Sequence, residues 1–169
     1  MRRRTLITRA APQNRIKKIV SGGQTGVDRA ALDVAIEFEI PHGGWCPKGR
    51  RAEDGKIPAE YQLVETSATD YTVRTEKNVS DSDGTLILFW GKLSGGTKLT
   101  ARLAEKYERP LLKFDLSAPF TADQLAMFSK WVDCNEIETL NVAGPRSSTA
   151  HEADARTKEL LRRVLNGVT

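Results

Sequence analysis

Cysteine and histidine are scarce in this 169-residue chain, two of each. Cys46 and Cys134 stand far apart without the paired spacing of a zinc site, and His42 and His151 fall in no metal-ligand or triad pattern. These absences argue against a structural zinc, a disulfide framework and histidine-based catalysis, so both cysteines read as free thiols. There is no run of eighteen apolar residues to cross a membrane, and the first fifteen residues lack the apolar stretch of a secretory signal. The sequence therefore reads as soluble and cytoplasmic. Two common phosphate motifs are also missing: neither Gly-x-Gly-x-x-Gly nor Gly-x-x-x-x-Gly-Lys-Ser/Thr occurs.

Acidic residues are lacking at the start of the chain. Residues 1–18 hold seven basic residues (Arg2, Arg3, Arg4, Arg9, Arg15, Lys17 and Lys18) and no acid, whereas the whole chain carries 26 basic and 22 acidic residues, a net of +4. The remainder thus has 19 basic against 22 acidic residues and is mildly negative, which argues against a steering field for nucleic acid. Residues 1–15 read as a basic, disordered arm rather than a transit peptide, and 16–169 as one domain.

What is present is an alternation of short apolar strands and amphipathic helices. Residues 16–21 read as a strand, and Val27, Ala30, Ala31, Val34, Ala35 and Phe38 then recur at helical spacing. Residues 41–60, rich in glycine and proline and without periodicity, read as a long loop. Tyr61 to Glu65 reads as a strand and Tyr71 to Val79 as a helix. The apolar run 85–90 suits a strand covered on both faces, and Leu99, Leu103, Ala104 and Tyr107 mark the next helix. Leu111 to Phe114 is a strand, Thr121 and Gln124 form a capping box before a helix, and Thr139 to Ala143 is the last strand. A final helix over 150–166 is expected, capped by Thr149 with Glu152. The pattern predicts an α/β, Rossmann-like, doubly wound fold with a mainly parallel sheet of about five strands.

Three glycine-rich turns sit at one structural station, where a strand gives way to a helix. In the first, Gly22, Gly23 and Gly26 open the backbone, Gln24 and Thr25 add side-chain hydrogen bonds, and Asp28 caps the helix or receives a ligand hydroxyl. In the second, Gly95, Gly96 and Thr97 form a phosphate cradle with Lys98 supplying charge. In the third, Gly144 precedes Arg146, Ser147 and Ser148, suited to a phosphate or carboxylate. Helix N-termini carry unpaired N–H groups and partial positive charge, so the expected ligand is anionic or phosphorylated and binds beyond the carboxyl ends of the strands. Trp45 and Lys48, in the long loop, are candidates for stacking on a heterocycle and for pairing with its charge. No nucleophile stands out; Glu53, Asp54 and Asp81 are the only acids to offer for catalysis.

The segment Ser21 to Leu32 (SGGQTGVDRAAL) resembles the Ser-Gly-x-x-x-Gly-x-Asp segment of the DNA-processing protein A and YpsA families of the SLOG superfamily. Ser94 to Ala104 resembles their glycine-threonine helix start, and Asn141 to Ser147 their opening Gly-x-Arg strand. That strand comes last here, so the chain is similar to the circularly permuted YpsA group, to which a molybdenum-carrier role is ascribed. The resemblance covers residues 16–166 and implies a permuted SLOG topology, with the turn at Gly144 to Ser148 lying beside the turn at Gly22 to Gly26. It also implies a cytoplasmic binder or carrier of a phosphorylated heterocycle, with molybdenum cofactor (molybdopterin) or a nucleotide as ligand and a homodimer or tetramer as assembly. Related phosphoribohydrolases carry a glutamate two positions after the threonine matching Thr97, where this chain has Leu99. A nucleotide N-glycoside hydrolase is therefore the second reading, and a nucleotide-sensing or single-strand DNA-binding module the third. No metal ligand is assigned, since an oxyanion such as molybdate needs only backbone N–H groups.

Overall fold

The computed structural model describes residues 15–167; residues 1–14 of the predicted arm lie outside them. In chain order the elements are β1 (Lys18–Val20), α1 (Val27–Glu37), β2 (His42–Gly43), β3 (Trp45–Cys46), β4 (Arg51–Ala52), β5 (Gly55–Lys56), β6 (Val64–Glu65), α2 (Tyr71–Ser80), β7 (Gly84–Phe89), α3 (Gly95–Lys106), β8 (Leu111–Asp115), α4 (Ala122–Cys134), β9 (Thr139–Ala143) and α5 (Ala153–Leu165).

Five strands form one parallel sheet in the order β2-β1-β9-β7-β8. The last strand lies between the first and the seventh. Counted from β9 as strand one, the order reads 3-2-1-4-5, the arrangement of a doubly wound sheet, and β9 and β7 flank its switch point. The permutation expected from the turn order is thus visible in the sheet. Only the starting strand differs from the unpermuted order.

The apolar runs explain the layers. β7 is buried along Gly84 to Leu88, as a strand covered by helices on both faces must be. The main core joins Ile19, Val34, Leu86, Leu88, Phe128, Leu140, Val142, Leu160 and Leu161 from the sheet and from α1, α4 and α5. A smaller cluster, Val79, Leu103 and Ala104, joins α2 and α3. The capping box of α4 forms in both halves, Gln124 N–H donating to Thr121 Oγ1 and Thr121 N–H to Gln124 Oε1.

Two expectations need correction. The fifth strand of the main sheet is His42–Gly43, inside the segment expected to be loop, while Val64–Glu65 pairs with Trp45–Cys46 in a separate two-stranded sheet. The last helix begins at Ala153 rather than Ala150, because the amides of Thr149 and Ala150 both donate to Arg146 O and turn the chain once more first. Glu152, now the N-cap of α5, pairs with Arg156 in its first turn and not with Thr149.

Candidate functional site

A cavity of about 220 Å³ opens at the carboxyl ends of β9 and β7. Every one of the three glycine turns contributes to its wall: Gly22, Gln24 and Asp28 from the first, Ser94 to Thr97 from the second, Gly144 to Arg146 from the third. Chain reversal at the strand ends places them there. In parallel sheets all such loops emerge on the same edge.

The turns differ in what their glycines do. Gly26 has φ 80°, and an added Cβ would lie 2.6 Å from Pro145 O, so it permits the first and third turns to touch. Val27 N–H then donates to Pro145 O (3.3 Å) and Ser147 N–H to Thr25 Oγ1 (3.2 Å). A Cβ at Gly144 would meet Val27 Cγ2 at 2.5 Å and Leu88 O at 2.7 Å, and one at Gly22 would fall on the Arg74 guanidinium. At Gly95 and Gly96, by contrast, it would meet nothing within 4 Å. Ser94, the N-cap of α3, makes no side-chain cap bond, so the first turn of α3 faces the cavity uncapped.

A buried ion pair closes one wall. Asp28, 5% exposed, accepts from Arg74 Nη1 (3.0 Å) and from Gln24 N–H (3.2 Å). Arg74 comes from α2 and belongs to no motif that sequence reading could single out. Gln24 is equally buried, and its Oε1 accepts from Thr25 N–H (3.1 Å) and Glu53 N–H (2.9 Å). That orients the amide and leaves Gln24 Nε2 without a partner; Arg74 Nε is likewise unpaired. Of four buried side-chain atoms without partners among the described residues, these two belong to residues that line the cavity, and both are donors. An unpaired buried donor costs about 1–3 kcal/mol, which an anionic acceptor would recover.

Further wall residues missed by sequence reading are Asn78, Thr100 and Asn141. Asn78 exchanges two hydrogen bonds with the Trp45 backbone (2.7 and 2.9 Å), fixing β3 to α2. Asn141 Nδ2 donates to Thr85 Oγ1 (3.2 Å), a buried polar pair between β9 and β7.

Trp45, Lys48 and Lys98 lie outside the cavity wall. The Trp45 indole N–H donates to Asp81 (2.9 Å), and Lys77 Nζ lies 4.2 Å from its ring centre. Among the described residues no aromatic side chain lines the cavity. Gly23 packs against Leu63 and Ile57. Thr25 and Ser148 form a second group of donors outside the wall, occupied by Glu53, while Ser147 N–H donates to Thr25 Oγ1. Burial alone would raise the Glu53 pKa, but hydrogen bonds from Ser148 and Thr25 and the charge of Arg146 hold it below the usual carboxylate value. Asp54 pairs with Arg29 (2.7 Å), which likewise lowers its pKa. None of Glu53, Asp54 and Asp81 lines the cavity. Cys46 is buried, which pushes its thiol pKa up, and His42 Nε2 accepts from Gln62 N–H (3.1 Å), a loop tie.

The family model of the circularly permutated YpsA SLOG family matches residues 19–165. The chain belongs to this family. Within the solved structures it is similar to the crystal structure of a "Putative molybdenum carrier protein" from Syntrophus aciditrophicus SB, with 51% identity over 89% of this chain and 94% of that one and a TM-score of 0.85. None of the curated proteins matches the chain. Membership of the permuted YpsA family agrees with the sheet order, in which the Gly-x-Arg strand β9 takes the central place of a first strand. Among the described residues no helix is long and apolar enough to cross a membrane, and no group of three or more His, Cys, Asp or Glu is placed to hold a metal ion.

Proposed function

We propose that the protein binds and carries an anionic ligand in the cavity at the β9–β7 switch point. The observation that carries this reading is the pair of unpaired donors, Gln24 Nε2 and Arg74 Nε, beside the uncapped start of α3. The wall carries two arginines, Arg74 and Arg146. Its one carboxylate, Asp28, is already paired with Arg74. A phosphate or a tetrahedral oxyanion suits such a site, since both accept from several N–H groups at once.

The name of the Syntrophus protein directs the reading toward molybdenum as cargo, either as the phosphorylated cofactor molybdopterin or as the oxyanion. Molybdopterin would place its phosphate against the α3 turn, Gln24, Arg74 and Arg146. The expected stacking of its ring on Trp45 has no counterpart in the wall. The cavity is also smaller than the roughly 300–1,000 Å³ of typical ligand pockets, so the anionic part of the ligand is what it fits. A carrier is preferred to an N-glycoside hydrolase because Glu53, Asp54 and Asp81 stand outside the wall and Leu99 stands where the related phosphoribohydrolases carry a glutamate.

Calorimetric titration with molybdate and with phosphate, beside elemental analysis of the purified protein, tests the proposal. The substitution Arg74→Lys keeps a cation beside Asp28 but removes Nε, and should weaken anion binding about tenfold. Absence of binding by either anion, or equal affinity in wild type and Arg74→Lys, would overturn it.

A further inference from the structure

Beside the cavity, one carboxylate of the protein itself sits where an external anion would. Glu53 projects from the two-residue tip of the β4–β5 hairpin, takes up three hydrogen-bond donors from two of the glycine turns and faces the Arg146 guanidinium. Oε1 accepts from Thr25 Oγ1 and from Ser148 N–H (3.2 Å); Oε2 accepts from Ser148 Oγ and lies 3.9 Å from Arg146 Nε. Two hydroxyls, one amide and one guanidinium around a pair of carboxylate oxygens form a donor set that a phosphate would use equally well. The hairpin that delivers Glu53 is tied to the first turn by the Glu53 N–H, which donates to Gln24 Oε1 (2.9 Å). Strand β5 is exposed, and beyond Glu53 itself the tip is tethered by the Asp54–Arg29 pair. Arg146 lines the cavity and also faces Glu53, so one cation serves both places.

We propose that Glu53 is an internal competitor, displaced when a ligand with two linked anionic groups sets one in the cavity and the other on Thr25, Arg146 and Ser148. The inference rests on the anion-binding reading above and narrows the ligand to a diphosphate-type class. It also gives the hairpin a role as a latch. A ligand with a single anionic group fills the cavity and leaves Glu53 in place.

Titration with inorganic pyrophosphate and orthophosphate, on wild type and on Glu53→Gln, tests this. Glu53→Gln keeps the side-chain length and a hydrogen-bonding end but removes the competing charge. It should bind pyrophosphate about tenfold more tightly than wild type and orthophosphate within about twofold. On the unmodified protein, amide hydrogen exchange of residues 51–56 should quicken when pyrophosphate saturates the site. Pyrophosphate affinity unchanged or weakened in Glu53→Gln, or a hairpin more protected with pyrophosphate bound, would overturn the latch while leaving the cavity reading intact. If wild type binds neither anion, both fall together.

Discussion

The first and second glycine turns look alike in sequence and differ in what their glycines face. In the first, Gly26 and Gly22 make room for other parts of the protein, Pro145 and Arg74, and the amides of Gln24, Thr25 and Val27 are bonded to Asp28, Gln24 and Pro145. In the second, a side chain at Gly95 or Gly96 would meet no atom, and the α3 terminus has no side-chain cap. A glycine at a strand-to-helix turn therefore answers different needs: close packing against protein, a positive φ as at Gly26 and Gly95, or a face left open as at Gly96. Composition does not separate them. The φ angle and the space around the missing Cβ do.

Substitution at the packing glycines should produce the largest effect. Gly144→Ala would drive a methyl group into Val27 and the Leu88 carbonyl, and a backbone oxygen has little freedom to move aside. We expect a loss of about 2–3 kcal/mol in urea denaturation, the range of overpacking in a tight core. A variant as stable as wild type would show that the contact between the third turn and β7 is looser than the geometry implies, and the contrast between the turns would fail.

The opposite result is expected at the open turn. Gly96→Ala places a methyl group in empty space on a helix, so stability should hold or rise by up to about 1 kcal/mol, the helix-propensity difference. The same methyl group would occupy the cavity, and affinity for phosphate or molybdate should fall severalfold. Stability and binding thus move in opposite directions in one variant. A Gly96→Ala protein that is both stable and fully competent in calorimetric titration would place the ligand elsewhere.

This contrast also explains how much could be read beforehand. The sheet strands β1, β7, β8 and β9 and all five helices were legible because each carries its own apolar run or helical stripe, and α4 even announces its cap at Thr121. The permutation was legible from the order of the turns. The segment 41–60 was not, because it is held by interactions without a period. Arg50 donates to the carbonyls of Ile57, Pro58, Tyr61 and Leu63, and the ladders there are two residues long. Eight of the sixteen residues proposed from sequence line the cavity, which leaves the other half to bracing or surface positions. Arg74 escaped notice for a related reason. An arginine one turn into α2 looks like any solvated helix residue until the fold sets it on Asp28.

The smallest expected effect lies at the hairpin and concerns pH. Glu53 and Asp54 both have folded pKa values below the ordinary carboxylate values, Glu53 through its Ser148 and Thr25 bonds against the opposing effect of burial, Asp54 through Arg29. A carboxylate with a depressed folded pKa favours the folded state at pH above its unfolded value, near 4, and that contribution disappears as pH falls through the folded pKa. Wild type should therefore lose urea resistance below about pH 4, and Glu53→Gln should lose less over the same interval. The difference should stay within about 1 kcal/mol, because Gln keeps a hydrogen-bonding end for Thr25 and Ser148 and the lost ion pair with Arg146, 3.9 Å away, is one near solvent. Parallel acid limbs for the two proteins would mean that Glu53 gains as much from water as from Thr25 and Ser148. In that case its hold on the third turn is weaker than the hydrogen bonds imply, and the third turn, like the second, is open to an incoming anion.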